Sequence, residues 1–87
     1  MQINITAIPI ERGKNEATKI QIALKEDNLE DSAIVQCAYY DADNNLLKIV
    51  DIIIVGSEYS SYVNSGRSNA TVKNYVLTEQ DLEEMSQ

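Results

Sequence analysis

One acidic run in the chain has the spacing of oxygen ligands that a cation site requires. Asp41, Asp43 and Asn45 stand where the first, third and fifth ligands of an EF-hand calcium loop would stand. That loop also needs a glycine at its sixth position and a bidentate glutamate at its twelfth, where this chain has Leu46 and Ile52. Because aspartate and asparagine also favour tight turns, we expect a hairpin turn here, with no metal ion and no other cofactor.

The residues that most enzymes use for catalysis are scarce. The 87 residues include no histidine, which removes catalytic triads, Cys–His pairs and imidazole zinc ligands. The single cysteine, Cys37, lies in an apolar run, so we expect a small buried hydrophobic side chain. Gly13, Gly56 and Gly66 stand alone and form no phosphate-binding loop. We therefore predict that the protein is not an enzyme and has no catalytic residues.

The charge balance limits the classes of partner. Seven Lys and Arg face 14 Asp and Glu, a formal net charge of −7, and the basic residues are scattered. Nucleic acids and anionic membranes require clustered basic residues, so we expect neither as a partner. Acidity suits a basic partner surface, and it also leaves open an acidic intracellular inhibitor that mimics DNA. The N-terminus lacks the pattern of a signal peptide, so we expect synthesis in a cytoplasm without secretion.

Four apolar segments predict β-strands at residues 2–10, 17–26, 33–40 and 46–55. The second alternates most clearly, which is typical of a half-buried antiparallel strand. Pro9 lacks an N–H group and favours an edge position for the first strand. A polar turn is expected at 11–16 and a short hairpin loop at 41–45. The fourth strand is apolar at both parities, which predicts that it is covered on both faces.

After Gly56 the apolar spacing becomes helical. Ser57 is expected to cap a short helix that ends at 64–66, and Asn69 a second helix, with a break at Thr78 and an apolar stripe that extends to Leu82 and Met85. The chain is thus predicted to be one domain, residues 1–87, of class α+β: a four-stranded antiparallel sheet followed by one or two short C-terminal helices. The alternative is a small immunoglobulin-like β-sandwich.

Three of the five tyrosines lie in this C-terminal part, at Tyr59, Tyr62 and Tyr75. Tyrosine is enriched at interfaces because it buries a large area and keeps a polar tip. We expect these three residues to bind a partner, with the segment 56–77 and an exposed sheet edge forming the contact. The alternative, equally weighted, is that the rings pack the helices onto the sheet.

Two segments together resemble a known group of proteins. The first is the hairpin 33–55 with its Tyr-Asp-x-Asp-Asn-Asn turn, and the second is Gly-Ser-Glu-Tyr-Ser-Ser-Tyr at 56–62 followed by Lys-Asn-Tyr-Val-Leu at 73–77. They resemble small proteins of tailed-bacteriophage genomes, many of which lie among virion structural genes. The high content of isoleucine and asparagine is similar to that of proteins encoded by AT-rich genomes, such as the genomes of crAss-like phages of Bacteroidetes.

The resemblance implies a class of function and transfers no functional residue. It implies a small virion component, an auxiliary capsid or head–tail protein, located in the particle after synthesis in the host cytoplasm. Its expected partners are the major capsid protein or other virion proteins, bound in many copies. We therefore expect a non-enzymatic structural protein of a phage particle, and the acidic DNA-mimic inhibitor is the alternative.

Overall fold

The computed structural model describes residues 1–10 and 16–85. Its strands are β1 (Gln2–Pro9), β2 (Glu16–Asp27), β3 (Ser32–Tyr40) and β4 (Leu46–Val55), and its helices are α1 (Gly56–Asn64) and α2 (Asn69–Glu79). The strands form one antiparallel sheet in chain order. The predicted α+β class is confirmed, and the described strands do not form the two sheets of a sandwich. Except for Glu16, the expected polar turn lies outside the described residues.

Side chains that alternate along the strands form the core on one face of the sheet. The register aligns Ile22, Cys37 and Val50 across three neighbouring strands, and two residues further along it pairs the buried Val35 with Ile52. The helices add four buried side chains to this core, Tyr59, Tyr62, Val72 and Val76. Full burial of one isoleucine or valine is worth about 1.5–3 kcal/mol, so this face supplies most of the stabilising apolar contact.

The outer edge of β1 is partly covered by the end of the described chain. Thr6 donates its N–H to the Glu83 carbonyl at 2.9 Å, and Met85 donates to the Asn4 carbonyl at 2.9 Å. Between these bonds Ile5 and Glu84 form an isolated antiparallel bridge. A strand edge with free N–H and C=O groups tends to pair with other chains. The first strand lies at an edge as Pro9 predicted, but part of that edge is already paired.

Strand β4 forms the opposite edge, and only one of its faces is covered. Ile52 and Ile54 are buried beneath the helices, whereas Ile49, Ile53 and Val55 are 51%, 56% and 49% exposed. The prediction that β4 is covered on both faces is therefore wrong. Two helices of nine and 11 residues cover one side of the sheet, and no described element packs against the other side.

Helix α1 begins directly after β4. The expected cap at Ser57 is wrong: the N-cap is Val55, without a side-chain hydrogen bond, and Gly56 turns the chain with a φ of 62°. Such positive φ values cost glycine little. The predicted end at 64–66 is confirmed, because Gly66 and Arg67 donate to the carbonyls of Val63 and Tyr62, the Schellman pattern.

Helix α2 is capped one residue earlier than expected. Ser68, and not Asn69, is the N-cap, and its hydroxyl accepts from the Thr71 N–H at 3.2 Å. The helix ends at Glu79, one residue beyond the expected break at Thr78.

The predicted apolar stripe of this helix does not extend to Leu82 and Met85. Leu82 is buried but lies after the end of the helix. Met85 also lies after the helix, where its N–H pairs with the Asn4 carbonyl of β1.

The burial of Cys37 in β3 gives a first prediction. The side chain is fully buried, and burial raises the pKa of its thiol to about 11. Since the thiolate is the reactive form, we expect a disulfide reagent such as DTNB to leave Cys37 unmodified in native buffer and to modify it completely in denaturant. Rapid modification of the native protein, followed by absorbance, would contradict this packing.

Candidate functional site

The structure places the three predicted tyrosines in different surroundings. Tyr59 and Tyr62 on α1 are buried, 5% and 3% exposed, and belong to the hydrophobic core. Their ring centroids lie 6.0 Å apart with planes tilted by 56°. Tyr75 on α2 is only partly buried and packs at the margin of the core. In the folded chain, inward packing therefore holds for Tyr59 and Tyr62, and Tyr75 alone keeps an accessible ring.

The hydroxyl of Tyr59 joins a polar network around Asp27 at the end of β2. Asp27 accepts from the Tyr59 hydroxyl at 2.7 Å, from the Leu29 N–H at 2.9 Å and from the Arg67 Nε at 3.0 Å. The Leu29 N–H, with Tyr59 and Arg67, holds the pKa of the Asp27 carboxyl below its usual value of 3.8. The network links the β2–β3 loop, helix α1 and the α1–α2 turn, and its role is structural.

Tyr62 packs between the two helices and the sheet. Its ring lies beneath the Arg67 guanidinium, whose Cζ is 6.0 Å from the ring centroid. The Arg67 N–H in turn closes the end of α1 on the Tyr62 carbonyl at 2.9 Å. Cation–π contact and Schellman closure therefore fix the same turn.

Tyr75 reaches from α2 to the free edge of the sheet. Its hydroxyl donates to the carbonyl of Ile53 in β4 at 3.0 Å. Burial, followed by the charges of Glu79 and Glu58, raises the pKa of this phenol. The phenol is thus neutral at physiological pH and is a hydrogen-bond donor at an edge that no described strand extends.

The polar backbone groups of β4 are directed outward at alternate residues. In a strand the N–H and C=O of one residue point to the same side, and the side alternates along the chain. Because the Ile53 carbonyl meets Tyr75 rather than β3, the outward groups are those of Ile49, Asp51 and Ile53 and the N–H of Val55, whose carbonyl, as that of the N-cap, begins helix α1. These four residues also direct their side chains to the uncovered face.

A groove lies between the two helices beside this edge. It has a volume of about 260 Å³. Ile54 and Tyr62 form its buried part, and Glu58, Tyr75 and Glu79 are among its more exposed lining residues. Among residues 1–10 and 16–85, no lysine or arginine forms an ion pair with Glu58 or Glu79. The groove is therefore an acidic, partly apolar depression that adjoins the free edge of β4.

The acidic run at 41–45 is a hairpin turn, as predicted. The Asp41 carboxylate accepts from the backbone N–H groups of Asp43 and Asn45, both at 2.9 Å, and from the Asn45 side chain. These bonds hold the pKa of Asp41 below its usual value, chiefly through Asn45. In the described part of the chain, no three cysteine or carboxylate side chains lie close enough together to hold a metal ion.

The exposed side of β4 was not predicted from the sequence. Its signal was present, because Ile49, Ile53 and Val55 alternate with the buried Ile52 and Ile54. Apolar residues at both parities were interpreted as burial on both faces. Two short helices cover only one face of the sheet, so the side chains of the other parity remain exposed and offer an apolar surface to a partner.

Comparison with known proteins identifies no relative from which a functional residue could be inferred. No protein family, curated protein or solved structure matches this chain. None of the described helices is long and apolar enough to cross a bilayer. The candidate site therefore rests on its own geometry: the free edge of β4, its exposed apolar face and the adjoining acidic groove.

The placement of the tyrosines predicts unequal effects of truncation. Tyr62→Ala removes a buried ring, and large aromatic truncations in cores cost about 3–5 kcal/mol. Tyr75→Ala should lower the free energy of unfolding by less, because this ring is only partly buried. Urea unfolding followed by circular dichroism measures both. Tyr62→Phe keeps the ring volume and should remain close to the wild type, whereas an unchanged midpoint for Tyr62→Ala would exclude a core role.

The Asp27 network predicts a pH-dependent contribution to stability. Its folded pKa is depressed below 3.8, so the contribution is present in full above that value and is lost as the pH falls through the folded pKa. Asp27→Asn should lower the melting temperature at neutral pH, and the difference from the wild type should vanish in strong acid. Asp43→Asn, an exposed control in the β3–β4 turn, should show little change. A difference for Asp27→Asn that is independent of pH would contradict the network.

Proposed function

We propose that this protein is a non-enzymatic structural protein that binds another protein through the free edge and exposed face of β4. The observation that carries the proposal is the coincidence of two features on the same residues. Ile49, Ile53 and Val55 expose apolar side chains, and they lie along a strand edge that no described strand extends, where the Ile53 carbonyl accepts only from the Tyr75 hydroxyl. An added strand satisfies the backbone groups and shields the side chains, which is the physical basis of β-augmentation.

The opposite edge is less available for the same kind of contact. The residues 83–85 already pair with β1, and Pro9 at its end offers no N–H group. Asp51 of β4 forms a 2.9 Å ion pair with Lys25 of β2 on the uncovered side of the sheet. A charged residue at the centre of an apolar edge strand opposes indiscriminate aggregation. These features favour one defined partner at β4 over open-ended self-association.

We further propose that the partner is the major capsid protein or another component of a tailed-phage particle, bound in many copies. This part rests on the resemblance of the segments 33–55 and 56–77 to small phage proteins. A particle offers repeated sites, so a small contact at each copy gains strength from its neighbours. In this proposal the protein is located in the virion after synthesis in the host cytoplasm.

The described acidic residues give little support to the DNA-mimic alternative. Asp27, Asp51 and Glu84 form ion pairs with Arg67, Lys25 and Lys73. Asp41 is used in the hairpin turn. A mimic needs unpaired carboxylates in rows along one face, so the structural role is the one we favour.

Incorporation into particles tests the proposal directly. Phage particles purified through a density gradient and washed in high salt should contain the wild-type chain at high copy number relative to the major capsid protein, as quantified by mass spectrometry. Ile53→Lys places a charge on the exposed face of β4 and should strongly reduce incorporation while leaving the melting temperature of the isolated protein nearly unchanged.

Leu29→Lys provides the matched control. Leu29 is 73% exposed in the β2–β3 loop, away from β4, so the same substitution there should leave incorporation intact. Absence of the wild-type chain from washed particles would overturn the virion role. Equal incorporation of both variants would overturn the assignment of β4 as the contact.

A further inference from the structure

We propose that the strand added to β4 carries a lysine or arginine whose side chain enters the acidic groove between α1 and α2. This inference rests on the proposed function, since it specifies the chemistry of the partner segment that binds the same edge. The partner is therefore an extended, basic protein segment and not a second copy of this acidic chain.

The position of the groove relative to β4 carries the first step. Ile54 lies in the groove lining, and its side chain is on the helix-covered side of the sheet. A strand paired beside β4 directs alternate side chains to that same side. The partner residue next to Ile54 would therefore project toward the groove, while its neighbours along the partner strand would face the exposed Ile53 and Val55.

The chemistry of the groove carries the second step. Glu58 from α1 and Glu79 from α2 line it from different elements, and no described cation pairs with either. Tyr75 also lines the groove and adds an aromatic ring, against which an alkyl stem or a guanidinium can pack. An apolar side chain would leave the two carboxylates without a cation, and an acidic one would be repelled.

Tyr75 also couples the edge to the groove. Its hydroxyl donates a hydrogen bond to the outward carbonyl of Ile53. A partner strand would use the same carbonyl as an acceptor. A partner N–H that binds this carbonyl takes the place of the phenol. The released hydroxyl then lies in a groove lined by Glu58 and Glu79, where a carboxylate can accept its hydrogen bond.

The overall charge favours a basic occupant over a second copy. Each chain carries a formal charge of −7, so two copies repel one another at low ionic strength. Pairing β4 with itself in the register that places Ile49 opposite Ile53 also places Asp51 opposite Asp51. Like charges directly opposite each other in a sheet are destabilising.

The test uses synthetic peptides and the full-length chain labelled with ¹⁵N. The probe is a capped peptide of about nine residues that alternates threonine and valine and carries one lysine at its centre. Its control has glutamate in place of the lysine. We expect the lysine peptide to shift the amide resonances of Ile49, Asp51, Ile53 and Val55, and to bind about tenfold more tightly than the glutamate peptide.

Variants of the groove and a salt titration complete the test. The double variant Glu58→Gln with Glu79→Gln should lose most of the preference for lysine, whereas Glu16→Gln with Glu30→Gln, outside the groove, should keep it. The preference should also weaken as the salt concentration rises, because partly exposed charge pairs are screened.

The outcomes separate this inference from the proposed function. If both peptides shift the β4 resonances equally, edge pairing stands and the basic occupant is wrong. If neither peptide shifts β4, the occupant is wrong, and the particle experiment decides separately whether β4 binds the virion. If the β4 resonances shift with protein concentration in the absence of peptide, the occupant is a second copy and the inference is overturned.

Discussion

The area that two short helices can cover is the constraint on which the rest of this structure depends. Helices of nine and 11 residues lie on one face of a four-stranded sheet, and they bury Ile52 and Ile54 of β4 but leave Ile49 and Ile53 exposed. A chain of this size buries a smaller fraction of its surface than a larger one does. The exposed apolar face and the free edge of β4 are consequences of that limit.

Polar contacts at the ends of the elements determine where the helices lie. Asp27 joins the end of β2 to Tyr59 and Arg67, and the Arg67 backbone closes α1. At the other end of the helical layer, Gln80 accepts a 2.7 Å hydrogen bond from the buried Tyr39 hydroxyl. In the described residues no buried side-chain nitrogen or oxygen lacks a partner. The position of the helices is therefore fixed by specific hydrogen bonds as well as by apolar contact. The groove between the helices consequently keeps the same position relative to the edge of β4.

The candidate site combines an acidic charge and an aromatic residue, which the sequence showed only as separate features. The acidity of the chain favours a basic partner, and the aromatic Tyr75 was among the residues expected to bind it. The sequence could not indicate that Tyr75 reaches Ile53, because the two residues are 22 positions apart and belong to different elements. It also could not indicate that Glu58 and Glu79 line one groove, since their distance depends on the packing of α1 against α2.

The sequence alone determined the elements and their class. Alternation in β2, the turn residues after Tyr40 and the stop at Gly66 are local signals, and each acts through hydrogen bonds or φ preferences within a few residues. Only the tertiary structure decided which apolar parity of β4 is buried and whether Tyr59, Tyr62 or Tyr75 remains accessible. Burial depends on which residues distant in sequence cover a side chain, and a helix of 3.6 residues per turn can present either tyrosine to solvent or to the sheet until its packing partner is known.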